Sequence, residues 1–136
     1  MLDRLDELLA GEPSAETLDW LAVAAARYLD GESFEQAAGL NAVHPNGCRF
    51  AWRYRRMVRH LVAAAAMIPG SGWTRAKVLQ STIKLCRRRP GRAARNDIER
   101  EVMAALSTGP VPSSPQRLHG IIEANPHVRL FSDQPT

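Results

Sequence analysis

The chain has 136 residues, 45% of them hydrophobic and 24% charged, which suffices for one compact domain, or two very small ones, with an apolar core. That excludes a collagenous or wholly disordered chain, and the longest uninterrupted apolar run, residues 61–68, falls far short of the roughly 20 residues that span a bilayer. The net charge of +4 conceals a strong asymmetry along the chain.

Up to Glu35, nine acidic residues stand against Arg4 and Arg27 alone, a net of −7. From Arg49 to Arg95 thirteen bases follow one another with no Asp or Glu between them. Trp52, Leu61, Val78, Leu79, Ile83 and Leu85 lie among these bases and ask to be buried, so the stretch reads as a folded surface and not as a basic tail. Its self-repulsion calls for compensation by a polyanion or by the acidic first quarter. Cys48 and Cys86 form no Cys-x-x-Cys, which points to neither a disulfide framework nor a zinc ribbon. The start, Met1-Leu2-Asp3-Arg4, is acidic and unlike a basic leader, so the expected setting is the cytoplasm, nucleoid-associated if DNA is bound.

In chain order, Leu2, Leu5, Leu8 and Leu9 predict a short acidic helix over 2–10, stopped by Gly11-Glu12-Pro13. Ser14 is placed to cap a second helix, with Glu16 in its first turn. Leu18, Leu21, Ala25 and Tyr28 form its main stripe, extended by Trp20, Val23 and Leu29, and this predicts a central helix ended by Asp30-Gly31. Ser33 to Gln36 reads as a capping box before a short helix over 34–39. A long helix to about residue 67 follows, with Phe50, Tyr54, Met57, Leu61 and Ala65 on one side. Pro69-Gly70-Ser71-Gly72 is the expected internal boundary. Beyond it, Thr74 is placed to cap a helix over 74–88, Asn96 one over 96–107, and Ser114-Pro115 one over 114–124. Residues 127–131 alternate like a strand.

These elements predict an all-α, small multi-helix bundle with a minor C-terminal β segment. Its parts are an acidic helix (1–12), a central bundle (13–69), a C-terminal helical region (73–132) and a tail (133–136).

Residues 33–56 resemble the helix-turn-helix DNA-binding proteins of bacterial or phage type. The likeness rests on Phe34-Glu35-Gln36-Ala37-Ala38-Gly39-Leu40-Asn41-Ala42-Val43. Ala37 and Ala38 allow close helix approach, Leu40 plugs the angle, and Asn41 stands at the position of positive φ. The pattern departs from the family at His44-Pro45-Asn46-Gly47, which lengthens the turn, and at Gly47, where a buried aliphatic residue is usual. The resemblance implies a first helix across the DNA backbone and a second in the major groove. On that second helix Arg49, Arg53, Arg56 and His60 share a face, flanked by Arg55 and Arg59 beside Trp52. Arginine suits bidentate contact with guanine and phosphate. Arg87, Arg88, Arg89 and Arg92 form a second basic run. Arg117 lies on the last helix of a region whose three helices and one strand-like segment have the order of a winged helix.

No acid–base pair, phosphate loop or metal-ligand spacing accompanies these bases; His44 and Cys48 are four apart but have Pro45 between them. The expectation is therefore a non-enzymatic binder of double-stranded DNA, a transcription regulator or phage-type recognition factor, with no cofactor, metal or membrane partner. Two alternatives use the same features. One is an adaptor docking its basic half on an acidic partner such as RNA polymerase or a sigma factor; the other is a structural homo-oligomer joined through the N-terminal leucine helix.

Overall fold

The computed structural model describes residues 2–125. Among these the chain is all-helical: α1 (Leu2–Leu9), α2 (Ala15–Leu29), α3 (Phe34–Ala37), a 3-10 turn (Leu40–Ala42), α4 (Cys48–Ala66), α5 (Gly72–Arg88), α6 (Asp97–Ser107) and α7 (Pro115–Glu123). No strand occurs among the described residues, and none of the helices there is long and apolar enough to cross a membrane. The strand-like segment 127–131 and the tail 133–136 lie outside the described residues.

Helix starts follow local chemistry. The Ser14, Ser33, Asn96 and Ser114 side chains each accept the amide of the residue three positions on, which satisfies one of the donors that a helix N-terminus leaves open. The exception is α5. Its cap is Ser71, whose Oγ accepts the Thr74 amide at 3.2 Å, so the helix begins earlier than a Thr74 cap predicts.

The chain divides into two compact units at Trp52/Arg53, inside α4. The Pro69–Gly72 break is instead a turn within the second unit, closed by Arg75, whose buried Nε donates to the Ile68 carbonyl at 2.7 Å.

Unit 1 has a small core of Ala24, Ala38, Leu40 and Cys48, with Leu2, Leu5 and Trp20 packed against it. The Trp20 Nε1–H donates to the Ala38 carbonyl at 3.0 Å and so ties α2 to the end of α3. The N-terminus of α2 is tied to α1 by Glu7, whose carboxylate accepts the Ser14 amide at 3.1 Å and the Thr17 hydroxyl at 2.5 Å. The Thr17 hydroxyl, more than any other neighbour, holds the Glu7 carboxyl below the usual carboxylate range.

Three expectations are corrected here. The left-handed residue of the corner is Gly39, at φ 72° and ψ 17°, whereas Asn41 sits in the 3-10 turn and no non-glycine residue has positive φ among those described. The reason is that α3 stops at Ala37, two residues earlier than the expected end, so the reversal falls on the glycine. The stripe of α2 is also not central. Thr17 and Ala24 are its buried residues, while Leu18 (51% exposed), Val23 (57%), Tyr28 (55%) and Leu29 (81%) face solvent. A core this small covers one side of a helix only. Phe50 and Tyr54, predicted on the buried side of α4, are likewise about half exposed, although Met57, Leu61 and Ala65 are buried as expected.

Unit 2 is built around α5, whose Ala76, Leu79, Ile83 and Cys86 meet Leu61, Ala64 and Ile68 from the α4 side, Val102 and Ala105 from α6, and Leu118 and Ile122 from α7. Each Leu or Ile fully withdrawn from water contributes about 1.5–3 kcal/mol. Glu99, 6% exposed on the first turn of α6, accepts Arg89 Nη2 at 3.1 Å and lies 3.6 Å from Arg95 Nε.

The conformation of the corner predicts that Gly39→Ala lowers the stability of unit 1 by about 1 kcal/mol, since a Cβ is strained at that φ, and that Asn41→Gly gives no gain. Denaturant unfolding of the two variants checks the contrast. Removing the buried anion by Glu99→Ala is expected to destabilise unit 2 by about 3 kcal/mol, because it leaves Arg89 facing an apolar hole. Arg75→Ala is expected to cost about 1–3 kcal/mol by orphaning the Ile68 carbonyl. Calorimetric melting measures both.

Candidate nucleic-acid interface

The structural division of the chain is also an electrical one. Residues 1–52 carry nine acids against three bases, a net of −6. Residues 53–125 carry fourteen bases against four acids, a net of +10.

Within unit 2 the acids are already committed. Glu99 serves Arg89 and Arg95, Asp97 Oδ1 accepts Arg100 Nη1 at 2.8 Å, and Glu101 Oε2 lies 2.7 Å from His60 Nδ1. Glu123 Oε1 stands 3.6 Å from His119 Nε2. Compensation for the long basic stretch therefore comes in part from α6, just past its end. Much of the positive charge lies at the surface: Arg53, Arg56 and Arg59 on α4, Lys77, Lys84, Arg87 and Arg88 on α5, Arg92 in the following turn and Arg117 on α7 are all exposed.

The sequence-predicted residues thus separate by role. Arg53 and Arg56 share an exposed face of α4, with Arg59 one turn further on, while Arg55 is half-buried. Arg87 is exposed but spends Nη2 on the Val111 carbonyl at 2.7 Å, and half-buried Arg89 spends its Nη2 on Glu99. Arg87 and Arg89 consequently brace the fold, whereas Arg88 and Arg92 present their charge outward. Arg87 and Arg88 also close α5, where the helix dipole favours cations. Arg49 is exposed on the first turn of α4, in unit 1. There it lines an open groove of about 730 Å³ together with Leu5, Leu8, Phe34, Leu40 and Trp52.

The structure adds Lys77, Lys84 and Trp73 to the residues that the sequence singled out. Lys77 and Lys84 recur at helical spacing with Arg88 along the exposed side of α5. Trp73 is 40% exposed, with Lys77 Nζ 5.6 Å from its ring centroid and His119 edge-on at 5.6 Å. An exposed indole among bases is a surface on which a nucleobase or sugar can stack. The signal for it was available in the spacing of Trp73 and Lys77, but Trp73 reads equally well as a core residue when burial is unknown.

His44 is held by the turn: its Nδ1 accepts the Asn46 amide at 3.0 Å and its ring lies 5.0 Å from that of Phe50. Cys48 is buried, and burial pushes its thiol up, as it does for Cys86. Among the described residues no group of three or more His, Cys, Asp or Glu side chains is placed to hold a metal ion. Comparison with protein-family models, with curated proteins and with solved structures finds no match for this chain.

Proposed function

We propose that the chain is a non-enzymatic, double-stranded DNA-binding protein, acting as a transcription regulator or a phage-type DNA-recognition factor. The observation that carries this reading is the net +10 of residues 53–125, with exposed arginines and lysines on α4, α5 and α7. Such a surface attracts a polyanion through release of condensed counterions. Arginine predominates over lysine in it, which favours planar, bidentate phosphate and guanine contacts.

In this reading α4 supplies the groove-facing side chains Arg53 and Arg56, and Lys77, Lys84, Arg88 and Arg92 hold phosphates and set the register without reading sequence. Trp73 is a stacking or sugar-packing contact beside Lys77. The resemblance of residues 33–56 to a helix-turn-helix supports the assignment of α4. The four-residue length of α3 is short for a helix that crosses the DNA backbone, so the weight of the proposal rests on charge.

Titration of a labelled random-sequence duplex at several salt concentrations tests this reading. With six or more phosphate contacts, affinity is expected to fall by about a thousandfold between roughly 50 and 200 mM salt. Arg53→Ala with Arg56→Ala is expected to lower the magnitude of the logarithmic salt slope by about two units while shifting stability by less than about 0.5 kcal/mol per site, since both are exposed. No binding at low salt, or displacement of the duplex by polyglutamate at equal charge concentration, overturns DNA as the ligand and favours an acidic protein partner.

A further inference from the structure

Independently of the DNA reading, α2 presents a surface that nothing within its own unit covers. Ala15, Leu18, Ala22, Ala25 and Leu29 are all exposed. Their spacing of three, four, three and four residues is the alternation of a coiled-coil seam, sustained over the whole fifteen-residue helix. The opposite side of α2, carrying Thr17, Trp20 and Ala24, is the one engaged by the unit 1 core.

We infer that this seam is covered by the same seam of a second copy of the chain, packed antiparallel about a two-fold axis. Three observations identify the occupant. The order Leu18, Ala22, Ala25, Leu29 reads the same in both directions, so a two-fold axis between Ala22 and Ala25 sets Leu18 against Leu29 of the partner subunit and Ala22 against the partner's Ala25. A surface complementary to itself is what an isologous dimer requires. The alanines at the centre leave a shallow waist that another alanine-lined helix fills at an interaxial distance of about 8 Å, whereas larger side chains would hold the backbones apart. Antiparallel packing opposes the two helix dipoles and separates the acidic N-terminal halves, which carry Glu16 in the first turn and Asp19 just after it. At the other end Arg27 is bound to Glu32 at 3.0 Å, so no cation there is left seeking a different partner.

One seam roughly 22 Å long, formed by two leucines and three alanines from each copy, is smaller than the specific interfaces that bury about 1,200 Å² or more in total. The dimer is therefore concentration-dependent, forming in the micromolar range or above.

Sedimentation or light scattering of the full chain without nucleic acid tests this, from low micromolar to sub-millimolar concentration. The mass is expected to rise toward twice that of the monomer. Ala22→Glu and Ala25→Glu, both at exposed positions, are expected to hold the mass at one copy, with an unchanged circular dichroism spectrum showing that the fold is retained. A wild-type chain that stays monomeric throughout, or folded glutamate variants that still dimerise, overturns the inference. Orientation is read by oxidative cross-linking of Leu18→Cys mixed with Leu29→Cys, with the parent chain, which carries only buried Cys48 and Cys86, as the control. The mixed disulfide is expected, and a Leu18→Cys homodimer formed alone would overturn the antiparallel pairing.

Discussion

The carboxylate of Glu99 is the anion around which the most basic turn of the chain closes. Arg87, Arg88, Arg89, Arg92 and Arg95 follow one another within nine positions, and such a run resists compaction unless something negative is placed beside it. Glu99 does this from the first turn of α6. It takes Arg89 and Arg95 at 3.1 and 3.6 Å, while its own amide donates to the Asn96 cap at 2.8 Å. The cap fixes where α6 begins, the start of α6 fixes where the carboxylate stands, and the carboxylate brings in the end of α5. Because α5 is also the helix on which Leu79 and Ile83 are buried, the apolar core and the charged turn share one frame. A carboxylate at this site costs desolvation, and two guanidinium groups together with the Arg95 amide offset it.

Arginine serves two purposes in this molecule, and its charge alone does not separate them. Arg75, Arg87 and Arg89 deliver hydrogen bonds to Ile68, Val111 and Glu99 and hold turns together, whereas Arg53, Arg56, Arg88 and Arg92 stand at the surface. The braces are those whose neighbours in sequence lead into a turn with an open carbonyl or a buried acid. A guanidinium, with five donors on a planar fork, satisfies such groups without deforming the backbone. The outward arginines lie where the same helix has already turned its apolar residues inward.

What was legible in the sequence was local. The caps at Ser14, Ser33, Asn96 and Ser114 depend on residues three apart and were read correctly, and the all-helical class follows from periodicities as short. Properties that depend on what lies opposite were not legible. The periodicity of α2 shows that Leu18, Ala25 and Tyr28 lie toward one side, but whether that side meets a core is decided by the volume unit 1 has to offer, which is little more than Ala24, Ala38, Leu40 and Cys48. A shift of two residues at the end of α3 was enough to move the left-handed position from Asn41 to Gly39. The boundary at Trp52/Arg53 escaped notice because it falls within an unbroken helix, where no proline or glycine marks it. Charge came close to marking it, since the acidic first stretch ends at Glu35 and the acid-free basic stretch begins at Arg49.

The attachment of α1 has a consequence for the reactivity of Cys48. No residue of α1 is fully buried; the helix is held by Leu2 and Leu5 against the Trp20 cluster, by Arg4 5.9 Å from the Trp20 ring centroid, and by the Glu7 carboxylate on Ser14 and Thr17. Local opening draws on the elements with the fewest buried contacts, so α1 is the part of unit 1 that detaches at the smallest cost. Its departure removes Leu5, Leu8 and Leu9 from the wall of the groove that Cys48 lines, and with them part of the burial that pushes the thiol up. Because the Glu7 carboxyl is held below the usual carboxylate range, its clasp is at full strength at neutral pH and weakens as acid protonates it, and at neutral pH the rate at which a small alkylating reagent reaches Cys48 counts the openings of a helix nearly forty residues away in the chain.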